Sequence, residues 1–360
     1  MIKTEQKLDN VLSQVSERLK ENEKPSLKDP NYQSRAFKNY INNFELLFID
    51  PETELICYSN QSDDSETERR ICLPLSLMFV AFHLAHSHEL SGHVGQMKTL
   101  ANLRRCFFFP GMFKWVIVLI NDCLSCQKNK QKRKDLHEAP LQAWGGLETL
   151  PFRTVHIDHK GPIRPSSSNY EHCLVVVDSF SRFLQVYPVK STNAQNTIEA
   201  MEKWILVFGI PQILVFDRGS AFINIEFTNW TTEFGITLAP RTAHAPWANG
   251  KVEIQNKHLT QYFRHFLEKN GENWAELAPK FAFAHNTSVN TATGTTPYEI
   301  IYCSKPQIPL SLKLGLVREK NKLCNSEFCE GLPPHSHDIK QSYTSLDRLL
   351  HQKPVPIFYP

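Results

Sequence analysis

The chain has 360 residues, 41% of them apolar, and its 40 Lys and Arg residues nearly balance 37 Asp and Glu residues, giving a formal charge of +3. This composition excludes a disordered or collagen-like polymer and predicts a globular protein of two or three domains. The charge total alone does not indicate a nucleic-acid partner, because such partners are recognised by clusters of charge. The apolar runs are shorter than the roughly 18 residues of a membrane-spanning helix, and no signal-peptide core is visible, so we expect an intracellular protein without a membrane partner.

Residues 1–70 predict an N-terminal extension made of a helix and a hairpin. Apolar residues recur with helical spacing between Lys3 and about Glu23, which indicates one amphipathic helix. The runs FELLFID and ELICYSN are separated by Pro51 and acidic residues, and they predict a β-hairpin. This extension carries 10 basic and 14 acidic side chains, whereas residues 101–135 carry 8 basic and 2 acidic ones, so the positive charge lies in the next segment.

Residues 71–135 predict a small helical zinc-binding domain. The chain holds nine cysteines, and the only closely spaced pair is Cys123 and Cys126, which favours a metal site over a disulfide framework. Four histidines lie within 83–93, and 29 residues separate His93 from the cysteine pair. Two His and two Cys form a closed tetrahedral set for one structural Zn²⁺ ion.

The sequence does not decide which residue is the first histidine ligand, because His86 and His88 both precede His93 at a suitable spacing. The expected ligands are therefore His86 or His88, with His93, Cys123 and Cys126. The alternative is that the cysteines are buried thiols and the histidines form a polar helix end. Apolar residues between the ligand pairs are expected to form the core of this domain rather than a base-stacking surface. They are Phe107, Phe108, Phe109, Met112, Phe113 and Trp115.

A basic stretch follows the cysteine pair. Five of the seven residues in 128–134 are basic: Lys128, Lys130, Lys132, Arg133 and Lys134. Such a stretch can bind phosphates or act as a nuclear import signal, and the alternative is a solvated linker. We expect it to contact nucleic acid.

The rest of the chain predicts a linker over 136–150, an α/β domain over 151–312 and an irregular tail over 313–360. The stretch HEAPLQAWGGLETLPF, from His137 to Phe152, contains two prolines and a Gly-Gly pair, which indicates a linker. After it, β-rich runs come first and helical patterns are interleaved later, which indicates a mixed sheet covered by helices. The string TTPYE predicts a helix start with Thr296 as N-cap and Glu299 three residues later.

Three acidic residues occupy positions that are hard to explain structurally. Asp158 follows the strand pattern TVHI, Asp217 ends the apolar run ILVF, and Glu253 lies in the first turns of a predicted helix. An unpaired buried carboxylate costs several kcal/mol, whereas a divalent cation offsets its charge. Oxygen ligands of this kind favour Mg²⁺ or Mn²⁺. Asp178, in LVVVDSF, competes with them, but a strand-end or turn aspartate is the expected reading.

The order Asp, Asp, then Glu after 35 intervening residues, preceded by a His-His-Cys-Cys segment, resembles the integrases of retroviruses and of gypsy-type long-terminal-repeat retrotransposons. The resemblance covers about residues 70–312. It includes the strings GHVGQMKTL, FFFPGM, CLSCQKNK, VVVDSFSRF and NGKVE. Aligned with that pattern, His86 rather than His88 is the first zinc ligand.

The resemblance implies a ribonuclease-H-like core in which Asp158, Asp217 and Glu253 are catalytic and bind two Mg²⁺ (or Mn²⁺) ions. It implies DNA integration, in which water trims the 3′ ends of the element's DNA and the freed 3′-hydroxyls attack a double-stranded target. Lys251, Asn256 and Lys257 are expected to contact the element's DNA ends, with ordinary surface side chains as the alternative. A homo-oligomer, and a nuclear location after cytoplasmic synthesis, are also implied.

One departure from the family concerns its carboxy-terminal small β-barrel, whose signature is not recognisable in 313–360. The chain is therefore compatible with a truncated fragment of a Pol polyprotein. Two alternatives to an active integrase follow. One is a catalytically silent DNA-binding or assembly remnant, and the other is a cut-and-paste transposase of the same fold.

Overall fold

The computed structural model describes residues 1–26, 34–59, 69–129, 150–163, 168–217, 221–240, 246–270, 273–290 and 293–314. These residues form two compact units. Unit 1 takes in residues 1–128 and 307–314, and unit 2 takes in the described residues of 129–306. Within these ranges no helix has both the length and the apolar character needed to cross a membrane.

Unit 1 begins with three helices, α1 (Ile2–Leu8), α2 (Asn10–Glu21) and α3 (Arg35–Ile41). The prediction of one helix up to Glu23 is wrong, because Asp9 separates α1 from α2. The Asp9 carboxylate accepts hydrogen bonds from the backbone N–H groups of Val11 and Leu12 at 2.9 and 3.0 Å. This is an N-cap, and its extended backbone ends α1 while it starts α2.

A four-stranded sheet follows, with strands β1 (Leu47–Ile49), β2 (Ile56–Ser59), β3 (Arg69–Cys72) and β4 (Phe107–Phe108) in that spatial order. The antiparallel pairing of β1 with β2 confirms the predicted hairpin. The predicted boundary at residue 70 differs from the structure, because β3 pairs with β2 on one side and with β4 on the other. The N-terminal extension and the histidine- and cysteine-bearing segment therefore share one sheet.

The remaining helices of this part are α4 (Met78–Phe82), a π-helical turn over His83–Ser87, α5 (Gln96–Arg104), α6 (Met112–Asn121) and α7 (Leu124–Asn129). Phe107, Phe109 and Met112 are buried in the unit 1 core, as predicted for the aromatic run. Phe113 differs from the prediction, because its position on α6 leaves it 45% exposed.

Unit 2 contains a five-stranded mixed sheet, which confirms the predicted α/β class. Its strands are β5 (Thr154–Lys160), β6 (His172–Asp178), β7 (Leu184–Val189), β8 (Ile213–Phe216) and β9 (Thr237–Pro240). The spatial order is β7-β6-β5-β8-β9, in which β5, β6 and β7 pair antiparallel, and β8 lies parallel to both β5 and β9.

Helices cover both faces of this sheet because its central strands are apolar on both sides. On one face α8 (Ala194–Phe208) and α9 (Ile225–Glu233) pack on residues such as Ile157. On the other face α10 (Pro246–Asn270) and α11 (Trp274–Asn286) pack on residues such as Val175. Helix α12 (Pro297–Tyr302) starts at the predicted capping box of Thr296 and Glu299.

The last described helix, α13 (Pro309–Lys313), belongs to unit 1. Ile308, Leu310 and Leu314 are buried in the unit 1 core. The predicted end of the catalytic domain at residue 312 therefore differs from the structure, in which unit 2 ends at Pro306. The predicted linker, up to residue 149, and the tail from residue 315 lie outside the described residues.

Candidate metal centres

Four predicted zinc ligands lie together in unit 1. The ligand atoms of His86, His93, Cys123 and Cys126 are all within 4.8 Å of one another. The Cys126 Sγ atom lies 3.4 Å from His86 Nε2 and 3.6 Å from His93 Nδ1, and Cys123 Sγ also lies 3.6 Å from His93 Nδ1. Tetrahedral Zn²⁺, with bonds of about 2.3 Å to sulfur and about 2.0 Å to nitrogen, places such atoms about 3.5 Å apart. The donor set and its spacing therefore fit one structural zinc ion.

The fold fixes the orientation of His86. This residue lies in the π-helical turn and is fully buried. Its Nδ1 atom is 3.1 Å from the carbonyl oxygen of Val94 and 3.3 Å from the hydroxyl of Thr99. Because a carbonyl oxygen only accepts, Nδ1 carries the ring proton and Nε2 keeps its lone pair towards Cys126. Neither Val94 nor Thr99 was indicated by the sequence, because backbone carbonyls and hydroxyls carry no ligand signature.

The structure also selects between the two candidate histidines. The backbone N–H of His93 donates to the carbonyl of His86 at 2.8 Å, so these two residues are held side by side. His88 lies outside the four-residue cluster, and its Nδ1 atom instead accepts a hydrogen bond from the Leu90 N–H at 3.2 Å. The geometry agrees with the choice of His86.

The predicted basic stretch is described only at its start. Lys128 is exposed near the end of α7. Lys130, Lys132, Arg133 and Lys134 lie outside the described residues.

In unit 2, the first two predicted catalytic carboxylates come from neighbouring parallel strands. Strands β5 and β8 pair with His156 opposite Val215. Asp158 and Asp217 are each two residues further along, so continuing this register places them side by side where β8 ends. Both residues are partly buried. Ligand sites of open α/β sheets commonly lie at the carboxyl ends of parallel strands.

Helix α10, which includes the third predicted acidic residue, Glu253, contacts β5 at Asp158. The Asn256 amide Nδ2 donates a hydrogen bond to Asp158 Oδ2 at 2.7 Å. Glu253 is three residues earlier on α10, and residues three apart lie on one face of a helix. The side chains of Glu253 and Lys251 are not among those that the structure describes, whereas Lys257 is exposed on α10.

Asn256 is buried, whereas the prediction that it contacts DNA requires an accessible side chain. It is only 9% exposed, and its Oδ1 atom is buried without a hydrogen-bond partner among the described residues. Its donor group is engaged with Asp158 rather than directed to solvent. The sequence indicated that Asn256 lies near Glu253, but the bond to a strand 98 residues away had no sequence signal.

Two histidines flank Asp158 and lie on opposite sheet faces, as strand alternation predicts. His156 Nε2 lies 3.3 Å from the Ser179 hydroxyl. His159 stacks on Phe222 and its Nε2 lies 3.1 Å from the Thr197 hydroxyl. The pKa of His159 is lowered to about 4, mainly because burial disfavours its charged form, with His172 adding to this and Asp217 opposing it. His159 is therefore a neutral neighbour of the carboxylates near pH 7.

Asp178 is the last residue of β6, as predicted for a strand-end or turn aspartate. Its carboxylate is buried and accepts hydrogen bonds from the Ser181 N–H and hydroxyl and from the Phe152 N–H. Burial raises the pKa of Asp178, and the bonds from Ser181 partly offset this rise. Asp178 thus joins the β6–β7 turn to the start of the domain, and it has no place in the carboxylate site.

Family models match both candidate centres. An integrase zinc binding domain matches residues 73–132 and an integrase core domain matches residues 148–246. The first range contains all four clustered His and Cys residues, and the second contains Asp158 and Asp217 and ends before Glu253. The chain has an integrase zinc-binding domain followed by an integrase core domain.

The relatives that the chain matches are large polyproteins. The chain is 27% identical over 277 residues to the Pro-Pol polyprotein of simian foamy virus type 3 (strain LK3), a match that covers 75% of this chain and 24% of that protein. Identity to the Pro-Pol polyprotein of simian foamy virus type 1 is 30% over 239 residues, covering 66% and 20%. The Tf2-3 transposon polyprotein of Schizosaccharomyces pombe (strain 972 / ATCC 24843) is 24% identical over 292 residues, covering 78% and 22%. The chain thus spans a quarter or less of these relatives.

The chain also resembles solved structures. The HTLV-2 integrase catalytic core domain in complex with magnesium, trimeric form, matches with a TM-score of 0.36 and 23% identity, covering 42% of this chain and 97% of that one. A simian T-cell lymphotropic virus intasome in complex with PP2A regulatory subunit B56 gamma matches with a TM-score of 0.42 and 17% identity, covering 61% and 73%.

Proposed function

We propose that this chain is a retroelement DNA integrase that hydrolyses and transesterifies phosphodiester bonds. The observation that carries the proposal is the meeting of three elements: Asp158 on β5, Asp217 directly after β8, and α10, which bonds to Asp158 through Asn256 one turn after Glu253. Carboxylates from two strands and a helix can hold divalent cations beside a phosphate.

Asp158, Asp217 and Glu253 would hold the divalent cations, and we infer two Mg²⁺ or Mn²⁺ ions. The donor set fits, because carboxylate oxygens are the ligands that these cations prefer. When bound, such a pair supplies activation of an attacking oxygen and charge stabilisation of the leaving oxygen. The chain's own contribution is to keep the carboxylates in place: Asn256 restrains Asp158, and neutral His159 adds no charge beside Asp217.

We propose two reactions at this one site. In the first, a water oxygen attacks a phosphorus atom near the 3′ end of the element's DNA, and the P–O3′ bond breaks to leave a 3′-hydroxyl. In the second, this hydroxyl attacks a phosphorus atom of a target duplex, a new P–O3′ bond forms, and a target 3′-hydroxyl leaves. Neither step needs a covalent protein nucleophile.

Double-stranded DNA is the partner that we propose, with Lys251, Lys257 and the basic residues Lys128, Lys130, Lys132, Arg133 and Lys134 as phosphate contacts. Exposed lysines release counterions when they bind phosphates, so binding should weaken as salt rises. A homo-oligomer acting on paired DNA ends and a nuclear location are further parts of the proposal, supported by the resemblance to integrases.

Strand transfer of labelled DNA duplexes with varied ends into a supercoiled plasmid, with Mn²⁺ present, tests the proposal. The full chain should give products, Glu253→Gln should give none, and Glu226→Gln, at an exposed glutamate of α9, should match the wild type. Equal absence of products from wild type and Glu253→Gln would reject the active enzyme. If the wild type still bound DNA, that outcome would assign the chain as a silent DNA-binding module.

A further inference from the structure

The segment 307–314, which we call the strap, completes the core of unit 1 from a distant part of the sequence. Leu310 is 0% exposed and, with Ile308 and Leu314, lies in the same apolar core as the N-terminal helices. Leu312, on the same helix α13, is 52% exposed. The strap is thus amphipathic, and its apolar side is directed into unit 1.

The strap packs directly against the π-helical turn that carries His86. Among the described helices, the strap helix α13 mainly contacts this turn, over His83–Ser87. Leu84 and Ala85 of the turn are buried in the same apolar core as Leu310. The residue that follows them, His86, directs its Nε2 atom to Cys126 at 3.4 Å. One layer of side chains therefore joins the strap to the zinc-ligand cluster.

Neither the π-helical turn nor the strap helix is expected to be stable on its own. A π-helical turn is a rare conformation that lasts only where its surroundings hold it. The strap helix has five residues and is too short to be stable alone in water. Each element therefore depends on the other, and the ligand position of His86 depends on both.

We propose that the strap is a positioning element for the zinc site: it holds the turn over His83–Ser87 so that His86 faces Cys126, and zinc binding in return keeps the strap docked. Coupling between two binding equilibria is reciprocal, so each event stabilises the other by the same free energy. This role is independent of the proposed catalytic activity, because it concerns unit 1 alone. It assigns the eight strap residues, which follow the end of unit 2 at Pro306, to the stability of the zinc-binding domain.

Zinc release from the full-length protein tests the first half of this proposal. Release is followed with the chelator 4-(2-pyridylazo)resorcinol in four variants. Leu310→Ala and Leu310→Met change the strap, and the two controls are Leu312→Ala on its exposed side and Leu12→Ala, at a 1% exposed leucine of α2 in the same core. We expect release at least tenfold faster in Leu310→Ala than in either control, and near-normal release in Leu310→Met. Equal rates in Leu310→Ala and Leu12→Ala would overturn the proposal, because any loss of core packing would then suffice.

Hydrogen exchange of the wild-type chain tests the reciprocal half and does not depend on how any variant folds. Zinc is removed by the chelator, and exchange is measured by mass spectrometry in peptides covering 83–95, 307–314 and 10–21. We expect faster exchange in the first two and little change in α2. Unchanged exchange in 307–314, or an equal rise in all three peptides, would show that zinc does not hold the strap specifically.

Discussion

Asn256 of α10 donates a 2.7 Å hydrogen bond to the Oδ2 atom of Asp158 on β5. This bond joins the helix that carries Glu253 to the strand that carries Asp158, two elements almost a hundred residues apart in sequence. Asn256 is almost fully buried, so the bond is protected from competing water. Asn256 therefore belongs with the carboxylates rather than with the exposed lysines of the same helix.

Replacing Asn256 by Leu should impair metal-dependent catalysis. Leucine has the same branching at Cγ but no donor, so the Asp158 carboxylate would lose one partner and part of its fixed orientation. Loss of a group that orients a metal ligand typically reduces metal affinity or activity by roughly 10- to 100-fold. We expect strand transfer to fall within that range and to need more Mn²⁺ for half-maximal rate. A normal Mn²⁺ dependence would contradict the positioning role.

Lys257→Glu should act differently, although it is the next residue on α10. Lys257 is exposed, and reversing its charge should repel DNA phosphates without changing the packing of the helix. We expect weaker duplex binding and a salt dependence, measured as the slope of log K against log salt concentration, that is smaller by about one unit. The urea midpoint of the free protein should stay near the wild-type value. Unaltered DNA affinity would remove Lys257 from the interface.

Two histidines in unit 1 provide a matched test of the zinc site. His86→Ala should abolish stoichiometric zinc and lower the thermal midpoint, because a structural zinc ion contributes its binding free energy to folding. His88→Ala should keep one zinc per chain, since His88 bonds to the Leu90 N–H instead of facing Cys126. Mass-spectrometric metal analysis of the two purified proteins measures this. Zinc loss from His88→Ala alone would reverse the assignment.

Local pattern was enough to predict much of unit 2. The β-rich runs followed by interleaved helical patterns match the mixed sheet and its covering helices, and the Thr296 capping box starts α12 as expected. Alternating apolar runs placed β5 and β8, and an acid following each run indicated a site. These features depend on neighbours within a few residues, which is the range over which periodicity and capping operate.

Contacts between distant segments could not be predicted in this way. Nothing in the sequence around Leu310 shows that it completes a core begun by α2, because an apolar residue does not identify its partner. The split at Asp9 was missed for a different reason. The apolar spacing continues through it, and only the capping bonds to Val11 and Leu12 show that one helix ends there.

The neutral His159 predicts an acid sensitivity of unit 2. Its pKa in the folded protein is lowered to about 4, against about 6.5 in an unfolded chain. Between these values the unfolded state takes up a proton that the folded state does not, so the stability contributed by His159 is complete above pH 6.5 and is lost as pH falls towards 4. The loss should approach about 3 kcal/mol as an upper value. The measurement compares urea midpoints at pH 7 and pH 5 without divalent cations. His159→Gln should remove much of the difference between the two midpoints. His258→Gln, at an exposed position of α10, should leave that difference unchanged. An identical pH dependence in wild type and His159→Gln would mean that another group controls the acid sensitivity.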